Sequence, residues 1–195
     1  MEGKLIGKLK ILFTIPNFDT AGSGKALLKI AAGLDKDKFS PSILCVRDHG
    51  EFFETVKNSG IPVHFFEYRA SFGNKLSGLK QCYKISGFIR SLGQDLIHSF
   101  NYSDDYSEAL SSKLASVKWI YSKKNMMWNS NAWKLRSFLA DGIIALNSDM
   151  AEKFFKNSPK VTLIPRGVDL NEFRIESKPD FLSNKYNLSS SDKIL

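Results

Sequence analysis

Short apolar runs bounded by turn residues alternate with helix-period segments along most of this chain, and that alternation leaves few folds open. Strands are expected at about residues 9–15, 41–47, 62–67, 95–100, 118–122, 141–146 and 161–165. Several are continuously apolar, such as Ile43-Leu44-Cys45-Val46 and Ile143-Ile144-Ala145-Leu146, as strands are when helices cover both faces of a sheet. Between them, Leu27, Ile30, Ala31 and Leu34 repeat at helical spacing. Leu79, Cys82, Ile85, Ile89 and Leu92 mark the inner face of a longer helix, with Lys80 and Lys84 opposite on a solvated face. Ser148 is the expected N-cap of a helix carrying Met150 and Phe154, and Asp104 with Asp105 suits the positive end of the helix before Leu110. The pattern predicts an α/β fold with a doubly wound, mainly parallel, seven-stranded Rossmann-like sheet over residues 1–175.

Beyond Phe173 the text turns polar and turn-rich, so residues 176–195 read as a linker, and the closing Lys193-Ile194-Leu195 as the opening of a strand of a further domain. Lys4, Lys8 and Lys10 precede the apolar run Ile11 to Ile15, but that run is too short for a signal peptide and ends at Pro16-Asn17. No segment approaches the roughly 20 apolar residues of a membrane span, and a cytoplasmic location is expected. Cys45 and Cys82 fall within expected core elements and read as buried thiols; with three scattered histidines they suggest neither a disulfide nor a metal site. A net charge of +8 allows nucleic acid, anionic lipid or an acidic small substrate as a partner. No nucleic-acid-binding motif accompanies the spread lysines, so nucleic acid ranks last.

Open α/β sheets bind ligands beyond the carboxyl ends of their strands, where strand order reverses. With the first strand beside the fourth, the loops Pro16–Gly24 and His98–Asp104 flank that point. The first offers Asn17, Gly22 and Ser23 at a helix entrance, where close backbone approach and free amides suit a diphosphate; a tight turn without ligand is the alternative. Gly24-Lys25 does not complete a P-loop, because Asp19 stands where the leading glycine belongs and Ala26 where the magnesium-binding hydroxyl belongs. Nor is it a dinucleotide fingerprint, since Leu27 takes the place of the third glycine. The second loop offers His98 as a candidate catalytic base, with Asn101 and Tyr102 to bind substrate hydroxyls. Lys123 overhangs the same cleft as a substrate-binding candidate. Trp128, Ala132, Leu135 and Leu139 share one helical face, leaving Met126, Met127 and Trp133 off it among Lys123, Lys124, Lys134 and Arg136, an arrangement suited to an anionic lipid surface.

Three segments resemble one family in order and spacing: Ala21-Gly22-Ser23-Gly24-Lys25-Ala26-Leu27-Leu28-Lys29-Ile30-Ala31, Asp95-Leu96-Ile97-His98, and Val161-Thr162-Leu163-Ile164-Pro165-Arg166-Gly167-Val168-Asp169 with Phe173. Over about residues 9–175 the chain is similar to the amino-terminal domain of family 4 glycosyltransferases, which have the two-Rossmann-domain GT-B fold. The resemblance implies an acceptor-binding domain whose partner domain holds a UDP- or GDP-sugar, with transfer that retains anomeric configuration and needs no metal or other cofactor. It implies that Gly22 is the glycine whose backbone approaches the donor diphosphate; Ala21 replaces a glycine often found before it. His98 matches the first histidine of a His-x-His pattern whose second position, the one more often tied to the acceptor, is Phe100 here. Arg166 stands where the family usually has asparagine.

The donor-binding basic residues and glutamate-rich motif of the family lie in its second domain, so this chain alone is expected to be catalytically silent. The expected acceptor is a sugar or a lipid-linked molecule, and peripheral attachment to an anionic membrane goes with it. Two rival readings stand beside this one: half of a sugar-nucleotide epimerase of similar fold, which would need acid and base residues in the cleft, and a non-catalytic sugar- or anion-binding module.

Overall fold

The computed structural model describes residues 7–19, 21–128, 130–156, 158–168, 170, 180–187 and 189. They fall into two compact units, 1–165 and 166–195. The first unit alternates strand and helix throughout: β1 (Leu9–Ile15), α1 (Ala21–Gly33), β2 (Phe39–Cys45), α2 (Phe53–Lys57), β3 (Val63–Phe65), α3 (Lys75–Ser91), β4 (Leu96–Ser99), α4 (Ser107–Leu114), β5 (Lys118–Lys123), α5 (Ala132–Leu139), β6 (Gly142–Ala145), α6 (Ser148–Phe155) and β7 (Val161–Leu163). The second contains α7 (Asp180–Tyr186). The domain boundary expected at residue 175, and the closing Lys193-Ile194-Leu195, lie outside the described residues.

The strands form one seven-stranded sheet in the order β3-β2-β1-β4-β5-β6-β7, and every neighbouring pair is parallel. Each expected strand is present. The order reverses between β1 and β4, which pair in the register Ile11↔Leu96 to Thr14↔Ser99 and so bring the two candidate loops side by side.

Strand alternation sorts the core into two layers. Ile11, Phe13 and Ile15 of β1 pack with Leu27 and Ala31 of α1 and with Phe53 and Val56 of α2. Leu12, Leu44, Ile97, Trp119 and Tyr121 face the other way, against Ile85 and Ile89 of α3, Ala109 of α4 and Phe155 of α6. The residues 14 and 99 share this second face, a placement that matters for the cleft floor.

Three local expectations shift. Asn147 rather than Ser148 caps α6, its side chain accepting from the Met150 amide at 2.8 Å. The buried stripe of α3 runs through Gly78, Cys82, Ile85, Ser86 and Ile89, while Leu79 is 49% exposed. Gly78 admits this, because the Phe72 ring occupies the place where its Cβ would stand. Helix α5 begins only at Ala132, so Trp128 sits in the preceding loop; Arg136 is the buried residue of the helix and Leu135 is exposed.

Candidate active-site cleft

The first loop is held rigidly from beneath. The Val46 amide donates to the Pro16 carbonyl at 3.1 Å, and Gly50, at φ +124°, lies so close to the Phe18 backbone that any Cβ would stand 2.5 Å from it. The two glycines of the α1 entrance then separate by environment. A Cβ on Gly24 would come within 2.8 Å of the Phe18 ring, whereas one on Gly22 meets none of the described residues within 4 Å. Gly24 lets α1 pack on Phe18; Gly22 fronts open space at a helix N-terminus whose amides favour an anion. Asn17 turns its carboxamide oxygen to the Asp19 amide, which closes the loop locally.

Lys124 bridges the two loops. Its ammonium donates to Ser23 Oγ at 3.2 Å and to the Phe100 carbonyl, and lies 5.2 Å from the Phe100 ring centre. A positive charge therefore stands beside the α1 entrance. Lys123 points the opposite way. It belongs to the same side of β5 as Trp119 and Tyr121 and is buried, with its ammonium 3.8 Å from the centre of the Trp128 ring, 4.5 Å from that of Phe154, and bonded to Asn125. Burial, then Arg136 and Lys153, push its pKa down to about 8. The Trp119-Tyr121-Lys123 alternation was the available signal that Lys124, not Lys123, reaches the α1 side.

Asn101, Tyr102 and Lys123 line one recess with Ser122, Lys124 and Trp128, closed to a water-sized sphere. Asn101 is buried; its side-chain oxygen accepts from the Ser103 amide at 3.2 Å, and its Nδ2 has no partner among the described residues. Tyr102 is exposed. His98 is only 7% exposed, wedged between the rings of Phe13 and Phe100 and sharing a 2.9 Å hydrogen bond with the Ser122 hydroxyl.

Burial, and secondarily Lys124, lower the His98 pKa from 6.5 to about 4, so the imidazole is neutral at physiological pH. Within that window the unfolded chain binds a proton here that the folded chain does not. Stability present above it is therefore lost as pH falls, by up to about 3 kcal/mol. Melting temperatures of the wild type and His98→Gln at about pH 7 and about pH 4.5 check this, with the variant expected to lose less on acidification. Equal losses in the two proteins would remove His98 from the acid response.

Beneath the recess lies a charged centre that the sequence reading did not anticipate. Glu108 of α4, 1% exposed, accepts from Thr14 Oγ1 at 2.5 Å and from Ser99 Oγ at 2.7 Å. Burial raises its pKa, while Arg136 and the two hydroxyls pull the other way. Arg136 of α5 is fully buried between the Trp119 and Tyr121 rings, 4.9 and 4.7 Å from their centres. Its guanidinium donates to Ser99 Oγ at 3.4 Å and to the Asn101 and Asp105 carbonyls at 3.1 and 2.8 Å. Asp105 in turn accepts from the Ser107 amide at 3.0 Å and its hydroxyl at 2.5 Å, an Asx turn at the entrance of α4. One buried arginine thus fixes the loop that carries Asn101 and Tyr102.

A family model described as Glycosyltransferase Family 4 matches residues 20–172, which include Gly22 to Gly24 of the first loop, the whole of the second loop, and Ser99, Glu108 and Arg136 of the buried centre. The chain belongs to glycosyltransferase family 4. A comparison with curated proteins gave no match. Among solved structures, this family 4 chain resembles a glycosyltransferase from Rickettsia africae (TM-score 0.70, 19% identity, covering 94% of this chain and 51% of that one). It also resembles Anabaena Alr3699/HepE in complex with UDP and glucose (TM-score 0.66, 18% identity, 92% and 50%). A UDP-N-acetylglucosamine 2-epimerase shares the fold as well (TM-score 0.58, 10% identity, 80% and 48%). The sheet is thus of the GT-B type, and the family 4 chain spans about half the length of the solved structures that it matches. No helix among its described residues is long and apolar enough to cross a membrane.

Proposed function

We propose that this chain is the acceptor-binding half of a retaining glycosyltransferase, working with a second domain that supplies most of the site for a UDP- or GDP-sugar. The observation that carries the reading is the open space in front of Gly22 at the α1 N-terminus, beside the Lys124 ammonium. A donor diphosphate placed there meets helix amides and a cation without displacing a side chain. Asn17, Gly22 and Ser23 form the donor wall of this reading, and Asn101 and Tyr102 the acceptor side, with Lys123, buried against Trp128 and Phe154, as support behind them. His98, kept neutral, is the candidate base for an acceptor hydroxyl. The acceptor is a sugar or a lipid-linked molecule, and the protein works in the cytoplasm at an anionic membrane surface. The family match favours transfer over the epimerase alternative, which shares the fold.

With one wall of the cleft, the donor is not held in an attack geometry. Titration calorimetry of this chain with UDP- and GDP-sugars should therefore show no binding in the micromolar range. Micromolar affinity for either would overturn the divided site.

A further inference from the structure

Lys134, Lys153, Lys156 and Lys160 surround a groove between α5 and α6, and no carboxylate is among the described residues that line it. Its walls are aromatic: Trp133 and Phe154 meet edge to face at 5.8 Å, and Phe138 stands 75% exposed on the rim. The cations are placed over these rings. Lys160 lies 5.7 Å from the Phe138 ring centre while donating to the Phe138 and Ala140 carbonyls, Lys153 lies 5.4 Å from Phe154, and Lys134 lies 5.9 Å from Trp133. Of the acidic residues near in sequence, Asp141 is paired with Lys113 and Lys118, and Asp149 and Glu152 line a neighbouring recess with Met126 that shares Lys153 and Lys156 with the groove, leaving lysines in excess there.

We infer that the α5–α6 face docks on an anionic bilayer surface, the four lysines meeting lipid phosphates while Phe138 enters the interface. Charge complementarity chooses the occupant. An exposed aromatic ringed by ammonium groups gains from apolar burial and from a negative surface potential together, and a neutral partner would leave the lysines desolvated and unmatched. The inference replaces the segment 123–136 expected from sequence, since Lys123 and Arg136 are buried within the core. It rests on the membrane part of the proposed function and is independent of sugar transfer, which calorimetry tests separately.

Flotation of the chain with phosphatidylcholine vesicles, with and without phosphatidylglycerol, provides the test. Binding is expected only with the anionic lipid and is expected to fall with added salt. Lys153→Glu with Lys156→Glu should lower the partition coefficient at least about tenfold, and Phe138→Asp should also lower it, with melting temperatures unchanged because all three side chains are exposed. Loss of binding in Lys80→Glu with Lys84→Glu instead would move the surface to α3, where Leu79 is exposed between lysines, and overturn the assignment. Absence of binding to anionic vesicles would remove the membrane partner itself. A dimer that Phe138→Asp dissociates while vesicle binding persists would give the face to a second copy of the chain and also overturn the inference.

Discussion

Gly22→Val is expected to abolish sugar transfer in a protein that joins this domain to a donor-binding domain, while leaving the melting temperature nearly unchanged. Gly22 has no left-handed backbone to defend, and none of the described residues lies within 4 Å of its Cβ position, so valine costs the fold little. The side chain would instead fill the space proposed for the diphosphate and screen the α1 amides from it. Gly22→Ala, projecting one methyl group, should weaken transfer without abolishing it. Gly24→Ala is the contrasting control: its methyl collides with Phe18 and with Phe52, so a stability loss of about 1–3 kcal/mol should accompany any loss of activity. His98→Ala should reduce transfer less than Gly22→Val, since the imidazole is wedged between Phe13 and Phe100. Assays of transfer paired with thermal melts separate these cases. Full activity in Gly22→Val at an unchanged melting temperature would exclude the α1 entrance as the diphosphate wall.

Arg136→Met should be the most destabilising of the substitutions considered, at about 3–5 kcal/mol, because it strands Glu108 as a buried carboxylate without its compensating cation. For a chain of this size that corresponds to a fall of roughly 10 °C in melting temperature. Two backbone carbonyls, of Asn101 and Asp105, lose their donor in the same step, so amide exchange in the β4–α4 loop should rise. The penalty should shrink at acidic pH. Without the guanidinium the Glu108 pKa rises further, and once protonated the carboxyl no longer needs a cation. Adding Glu108→Gln to Arg136→Met should recover part of the loss, giving a coupling energy that a double-mutant cycle reads directly. A single variant melting within about two degrees of wild type would show that the pair carries little of the fold.

Some of this architecture is legible before any coordinates. The runs around Phe13, Leu44, Ile97 and Ile143 are too apolar and too short to be anything but buried strands separated by helices, and all seven expected strands are present. The glycine pair ahead of Leu27 and the His98–Asp104 loop were identifiable as neighbours once β1 was assigned beside β4. Less legible were the short helices. Eight residues of α5 give barely two turns, too few for a periodic stripe to show whether Leu135 or Arg136 faces inward.

What the sequence by itself determined is the set of elements, their parallel arrangement and the end of the sheet where a ligand should bind, because these follow from local periodicity and from the chirality of strand-helix-strand crossovers. Tertiary structure alone decided which polar groups are inside. Glu108, in the serine-rich stretch Ser107-Glu108-Ala109-Leu110-Ser111-Ser112, reads as a solvated residue of an amphipathic helix, yet it is buried. Its partners come from β1, β4 and α5, with Arg136 lying 28 positions later in the chain and Thr14 94 positions earlier. A buried charge is tolerable only when hydrogen bonds and an opposite charge converge on it, and that convergence belongs to the packed sheet and its helices rather than to any stretch of sequence.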